Sequence, residues 1–196
     1  MARPKKDPAM PDARARLEQA FWDLMEDPGY SRISVGMLAD RAGVNHNTIY
    51  YHYPGGIENL ALSLLEKVIP PELPGFAFAF PGPESNGDLY NLLTPEIMLR
   101  WKRFYLFLTS GSDTLNTHAR NLMFEALCDY HGLDPDRITS DQMLSLRFIF
   151  RGYAALLRSI VDRSDPAAIA KFAGSPLGLA VQQTINELPK RKSRKE

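Results

Sequence analysis

Apolar residues in this chain return every three or four positions, and no stretch alternates cleanly between apolar and polar. That is the helical spacing. Ala13, Leu17, Ala20, Phe21 and Leu24 predict a first helix with one dry face, stopping near Asp27-Pro28-Gly29. Ser34 suits the N-cap of a short helix over Val35 to Ala42, and Gly43 supplies its left-handed stop. Asn45 caps another short helix ending around Tyr51 to Tyr53, where Pro54-Gly55-Gly56 breaks it. A longer helix follows from about Ile57 to Val68, with Leu60, Leu64, Leu65 and Val68 on one side.

Residues 69–87 exclude a regular helix. Pro70, Pro71, Pro74, Pro81 and Pro83 remove backbone donors and fix φ, with glycines between them. Phe76, Phe78 and Phe80 are expected to pin this long loop to a helical body. Beyond it the helical spacing resumes. Thr94 caps and Pro95 opens a helix through Trp101 and Tyr105 to about Thr109. A stripe from Leu115 to Tyr130 ends at His131-Gly132, and Ser140 begins the longest helix, to about Arg163. A short helix is expected from Asp165-Pro166 to Gly174, and a last one from Pro176 to Leu188. The predicted fold is all-α.

The longest helix is apolar on more than one side. Met143, Leu146, Phe150, Tyr153 and Leu157 lie on one, Leu144, Phe148, Ile149, Leu156 and Ile160 on others. A surface helix of a monomer needs one dry stripe, so the excess predicts burial against a second subunit.

Residues 38–49 are spaced as two short helices crossing at a tight turn. Ala39 is small where the second helix passes, Gly43 takes a positive φ, and Val44 and Ile49 fill the wedge. The outward face of the second helix is then Asn45, His46, Asn47, Thr48, Tyr50, Tyr51 and His52. Amides, imidazoles and hydroxyls both donate to and accept from base edges in a DNA major groove. No metal is needed to explain them: His46 and His52 stand about 240° apart on a helix and cannot share one ion.

Residues 14 to about 65 resemble the N-terminal domain of TetR-family transcriptional regulators. The resemblance is carried by Gly29-Tyr30, Ser34-Val35, Leu38-Ala39, Ala42-Gly43-Val44, Thr48-Ile49-Tyr50, His52-Tyr53 and Leu60. It implies base or groove contacts from His46, Asn47, Thr48, Tyr51 and His52, and phosphate contacts from Ser34 and Tyr50. Arg32 and Asn45 join these as candidates at the edge of the same surface. It also implies a dimer whose last two long helices pair with their mates in a four-helix bundle. One position departs from the family: Gly56 stands where most members place a phosphate-clamping lysine. From Ser31 to Tyr53 only Arg32 and Arg41 oppose Asp40, so the electrostatic part of binding is expected to be weak.

Composition narrows the remaining readings. Hydrophobic residues make up 44%, enough for a sizeable core, and no apolar run is long enough to span a bilayer. One cysteine, Cys128, excludes a disulfide framework or a paired-cysteine zinc site and fits a reducing, cytoplasmic setting. The formal net charge of zero hides a tail, residues 190–196, with five basic residues against one glutamate. Residues 1–189 therefore carry −4 against the tail's +4, and the tail is expected to be solvated and disordered. No phosphate-binding glycine loop, HExxH or nucleophile elbow is present, so neither an enzyme nor a cofactor is predicted.

The expected organisation is a helix-turn-helix domain over 1–55, a helical effector-binding and dimerisation domain over 56–189, and the tail. Aromatic stripes usually form core. Since family members usually hold an effector among these helices, Trp101, Tyr105, Tyr130 and Tyr153 are the candidate lining of a pocket with few charges. Each joins an apolar body to a polar tip. Arg147 and Arg151, one turn apart, are expected in ion pairs, with an anionic ligand as the alternative. The functional expectation is a repressor that binds a palindromic operator in double-stranded DNA as a homodimer and is released by a small molecule. The alternative is a TetR-like protein that lacks operator binding and works through a protein partner as coactivator or adaptor.

Overall fold

The structure is a computed structural model that describes residues 12–69, 94–163, 171–172 and 174–191. Among these residues every regular element is a helix, apart from one isolated β-bridge between Leu133 and Lys190. The order is α1 (Ala13–Glu26), α2 (Val35–Ala42), α3 (His46–His52), α4 (Gly56–Val68), α5 (Pro95–Leu108), α6 (Asp113–His131), α7 (Ser140–Arg163) and α8 (Pro176–Asn186). Short 3₁₀ turns at Tyr30–Arg32 and Pro135–Arg137 join α1 to α2 and α6 to α7.

Local chemistry sets the helix starts. The side chains of Asp12, Ser34, Asn45, Thr94, Ser112 and Ser175 each accept a hydrogen bond from an N–H in the first turn that follows. Gly43 ends α2 at φ 61°, a left-handed conformation that costs a residue with a Cβ about 1–2 kcal/mol. Arg16 of α1 fixes the same corner, its Nη1 donating to the carbonyls of Ala42 and Gly43, both at 3.0 Å. The sequence gives no local sign of this long-range clamp.

One apolar cluster runs through the whole described chain. Leu17, Phe21, Leu38, Ala39 and Ile49 close the core of the first three helices, and Leu60, Ala61 and Leu65 bring α4 onto it. Trp101, Phe104 and Phe107 of α5 continue it to Leu115, Ala119 and Leu127 of α6 and Leu146 of α7. The join is aromatic: Phe107 stacks on Phe21 at 6.2 Å between centroids and meets Trp22 edge-on at 5.4 Å. Arg103 lies 4.7 Å from the Trp22 ring centre, and Lys102 reaches Glu26 at 2.8 Å.

One expectation changes here. The tail does not leave the body at residue 190. Asp134 N–H donates to the Pro189 carbonyl at 2.9 Å, Arg191 N–H donates to the Gly132 carbonyl at 2.8 Å, and the Arg191 guanidinium meets Asp129 at 3.1 Å. Lys190 and Arg191 are thus held where α6 ends by backbone pairing that charge counting does not reveal. The Pro-rich loop from residue 70, most of the helix expected from Asp165 to Gly174, and residues 192–196 lie outside the described residues.

Candidate nucleic-acid interface

α3 lies across α2 with Ile49 fully buried beneath it. Burial of this one residue fixes which way the helix faces. His46, Asn47, Tyr50 and Tyr51 are turned outward, Thr48 and His52 half outward, and Tyr51 is 83% exposed. Four kinds of polar side chain thus share one outward surface, with donors and acceptors unoccupied by the helix itself. Asn45 is different, because its side chain accepts the Asn47 N–H at 2.9 Å as a cap. Its amide nitrogen alone is left to donate outward.

The edges of the surface hold the candidate phosphate contacts. Ser34 caps α2 through Oγ, which accepts from Met37 N–H at 3.2 Å and keeps its hydroxyl hydrogen to donate. Tyr50 is half exposed, its ring lying over Gly56. Arg32, in the 3₁₀ turn before Ser34, is exposed and has no ion pair among the described residues. Arg41, the other cation of this stretch, is held by Asp23 of α1 at 3.6 Å.

Gly56, at the position where the resemblance expects a lysine, lies inside the turn. It is buried, has φ 65°, and its N–H donates to the Tyr53 carbonyl at 2.7 Å. Its donor is therefore used inside the turn. Tyr53 is 2% exposed, and its hydroxyl donates to Glu18 of α1 at 2.9 Å. The same carboxylate oxygen receives Lys67 of α4 at 2.7 Å and Arg14 at 3.2 Å. Burial works to raise the Glu18 pKa, but the hydrogen bonds from Lys67, Tyr53 and Arg14 outweigh it and hold the group below its ordinary range. Glu18 thereby ties α1, the end of α3 and the end of α4 together beneath the exposed face.

Of the four candidate effector residues, the three whose side chains are described stand in different settings. Trp101 is closed core at 1% exposure, Tyr105 is half-buried against that core, and Tyr130 is 54% exposed at the end of α6. The Tyr153 side chain lies outside the described residues. Amphipathic rings at helical spacing mark a packed face without saying which neighbour covers it. A cavity of about 570 Å³ lies instead between α6 and α7, lined by Thr117, Arg120, Asn121 and Phe124 from the first and Met143, Arg147, Phe150 and Arg151 from the second. It is not poor in charge as expected. Arg147 and Arg151 line it, and neither has an ion pair among the described residues.

A second, apolar cleft lies between α7 and α8, lined by Phe148, Ile149, Gly152, Leu156, Leu177 and Val181 among others. Leu144, Phe148, Leu177 and Leu179 on these two helices are each more than half exposed, Phe148 at 75%. No described helix is long and apolar enough to cross a membrane.

Comparison with known proteins finds no match among curated proteins or solved structures. Residues 19–64 do match the family model described as bacterial regulatory proteins, tetR family. The matched span runs from α1 through most of α4 and contains Ser34, Gly43, all of α3 and the turn at Gly56. A buried Ile49, a left-handed Gly43 and an outward polar α3 provide the physical form of that match. The chain carries the N-terminal helix-turn-helix domain of the tetR family of bacterial regulatory proteins.

Proposed function

We propose that this regulator is a repressor, a homodimer that binds a palindromic operator through α3 and is released by a small molecule. The observation that carries the reading is the outward face of α3: His46, Asn47, Tyr50 and Tyr51 exposed over a buried Ile49. A helix presenting amide, imidazole and phenol groups on a neutral convex surface suits base edges in a major groove. Arg32 and the Ser34 and Tyr50 hydroxyls would then hold the phosphate backbone on either side.

Dimerisation is supported by the exposed apolar side chains of α7 and α8. A contiguous apolar surface over two adjacent helices marks a contact with another protein surface. A second copy of the same two helices makes a closed, twofold contact of the kind most oligomers use. Two α3 helices related by that twofold would read the two halves of a palindrome.

Release needs a ligand that binds one arrangement of the two bodies better than the other. The route between them is short. α4 packs on α6, where His118 Nε2 stands 3.7 Å from Glu66, and α5 is joined to α1 by Phe107 and Lys102.

The test is selection of DNA from a random library by the full chain, followed by binding measurements on the enriched sequence. The expected result is an enriched palindrome with half-sites about one helical turn apart or a multiple of that. The second reading, an adaptor without operator binding, is favoured by the enclosed Gly56 and the Asp23-held Arg41, which leave few cations for phosphate. No enrichment and no binding even at low salt would decide for it.

A further inference from the structure

Three arginines open onto the cavity between α6 and α7. Arg120 comes from α6, Arg147 and Arg151 from α7, and Phe124, Met143 and Phe150 supply apolar wall. A smaller cavity of about 270 Å³ shares Arg120, Phe150 and Arg151 and reaches inward to Asn116, whose amide Oδ1 is buried with no donor among the described residues. Among the described residues no acidic side chain lines either space.

Four other arginines sit differently. Arg14, Arg41, Arg100 and Arg191 each have a carboxylate within 3.6 Å. Among the described residues Arg120, Arg147 and Arg151 have none; Arg120 donates only to the Thr117 hydroxyl, at 2.9 Å. Like charges one turn apart on α7 work against the helix, so their own element gains nothing from the pair. Arg120, Arg147 and Arg151 are exposed at the mouth of this space, and guanidinium groups lining one cavity beside aromatic and thioether surface suit an oxyanion on an apolar body, since each fork matches two oxygens.

We propose that this cavity binds a small amphipathic anion, a carboxylate or phosphate head on an apolar body, and that this anion is the effector. The proposal rests on the reading of the chain as a ligand-released DNA regulator. The head group bridges Arg120 to Arg147 and Arg151 and so draws α6 and α7 together. The body lies along Phe124, Met143 and Phe150. Asn116, Thr117 and Arg120 flank His118 on α6, the residue that faces Glu66 of α4. A ligand that shifts α6 therefore acts on the helix that follows the recognition helix.

The test uses the purified full chain and calorimetric titration with octanoate and octyl phosphate, with octan-1-ol as the uncharged control. At least one anion is expected to bind tenfold or more tightly than the alcohol, and the stronger of the two identifies the head group. The double variant Arg147→Gln/Arg151→Gln, and separately Arg120→Gln, should each lose at least tenfold, while Arg100→Gln should not. Arg147→Lys/Arg151→Lys keeps the charge and should retain part of the affinity, which separates loss of the site from loss of the fold.

Equal binding of anions and alcohol overturns the proposal, as does a double variant that still prefers anions. So does a double variant that is folded but monomeric with no anion preference in the wild type, since the arginines then serve a subunit contact. DNA binding measured in the same samples separates the two readings. Anion binding with DNA affinity unchanged overturns the effector role. Anion binding through these arginines in a chain that binds no DNA at all fails the DNA-regulator reading alone.

Discussion

Gly56 lies beneath Tyr50: a Cβ at position 56 would stand 3.4 Å from Cε1 of the tyrosine ring. The glycine also holds φ 65°, so any side chain there meets both a ring and a left-handed backbone. Gly56→Ala and Gly56→Lys should each lower stability by about 1–2 kcal/mol. Urea denaturation of both variants checks it, and an alanine variant as stable as wild type would sink the turn geometry. A lysine here adds a phosphate contact only at that cost, which bears on why the turn is so poor in charge.

Salt dependence should show the same scarcity of cations. Among residues 31–53 Arg32 is exposed and Arg41 is held by Asp23. Few counterions are released when few cations meet phosphate, so the slope of log affinity against log salt should be shallow. Each lost cation contact is worth about one unit of slope. Arg32→Gln should flatten it by about that amount per half-site. A steep wild-type slope that survives Arg32→Gln would place the phosphate contacts elsewhere.

His46→Ala and Asn47→Ala should reduce discrimination between operator and unrelated DNA by about 1–3 kcal/mol each while leaving the melting temperature close to wild type. Both side chains are exposed. Asn45→Ala should behave in the opposite way, losing about 1 kcal/mol of stability because its side chain caps α3. Paired binding and thermal-melt measurements distinguish reading from capping. An Asn47→Ala variant with full discrimination would remove that residue from the interface.

Glu18 should make stability pH-dependent. Its folded pKa lies below the ordinary value of 4.5, because hydrogen bonds from Lys67, Tyr53 and Arg14 overcome the opposing effect of burial. The unfolded chain therefore takes up the proton first as pH falls. The stabilisation is fully present above about pH 5 and disappears as pH drops through the folded value. Melting curves of wild type and Glu18→Gln should differ at pH 7 and converge toward pH 3. A difference independent of pH would show that the carboxylate charge is not what holds α1 to α4.

Phe148→Glu should convert the protein to a monomer. The side chain is 75% exposed in the single chain and lines the apolar cleft between α7 and α8. A charge buried there without a partner opposes association strongly. Sedimentation at micromolar concentration is the measurement, and a Phe148→Glu dimer would move the interface off these helices.

Most of the helical frame was legible because its punctuation is local. Ser34, Asn45, Thr94 and Pro95 cap or open helices through atoms a few residues away, and the starts fall at the predicted positions. The outward face of α3 followed from assigning Ile49 inward, a step that needs only helical periodicity. What escaped were pairings between distant residues. Arg16 on the Gly43 corner, Glu18 under Tyr53 and the anchoring of Lys190 and Arg191 join positions far apart in the chain. Trp101 is covered by its neighbours, and the arginines were expected to find carboxylates that the fold does not bring to them.

The stacking of Phe107 on Phe21 and Trp22 bears on how portable the reading head is. Cut out after α4, the first four helices would carry a bare aromatic patch where α5 now rests, and Glu26 would lose Lys102. Such a fragment should self-associate or melt early, and a graft onto a foreign body would need a replacement for Phe107. Swapping operators between regulators built this way is therefore better done by exchanging side chains on α3 than by exchanging whole domains.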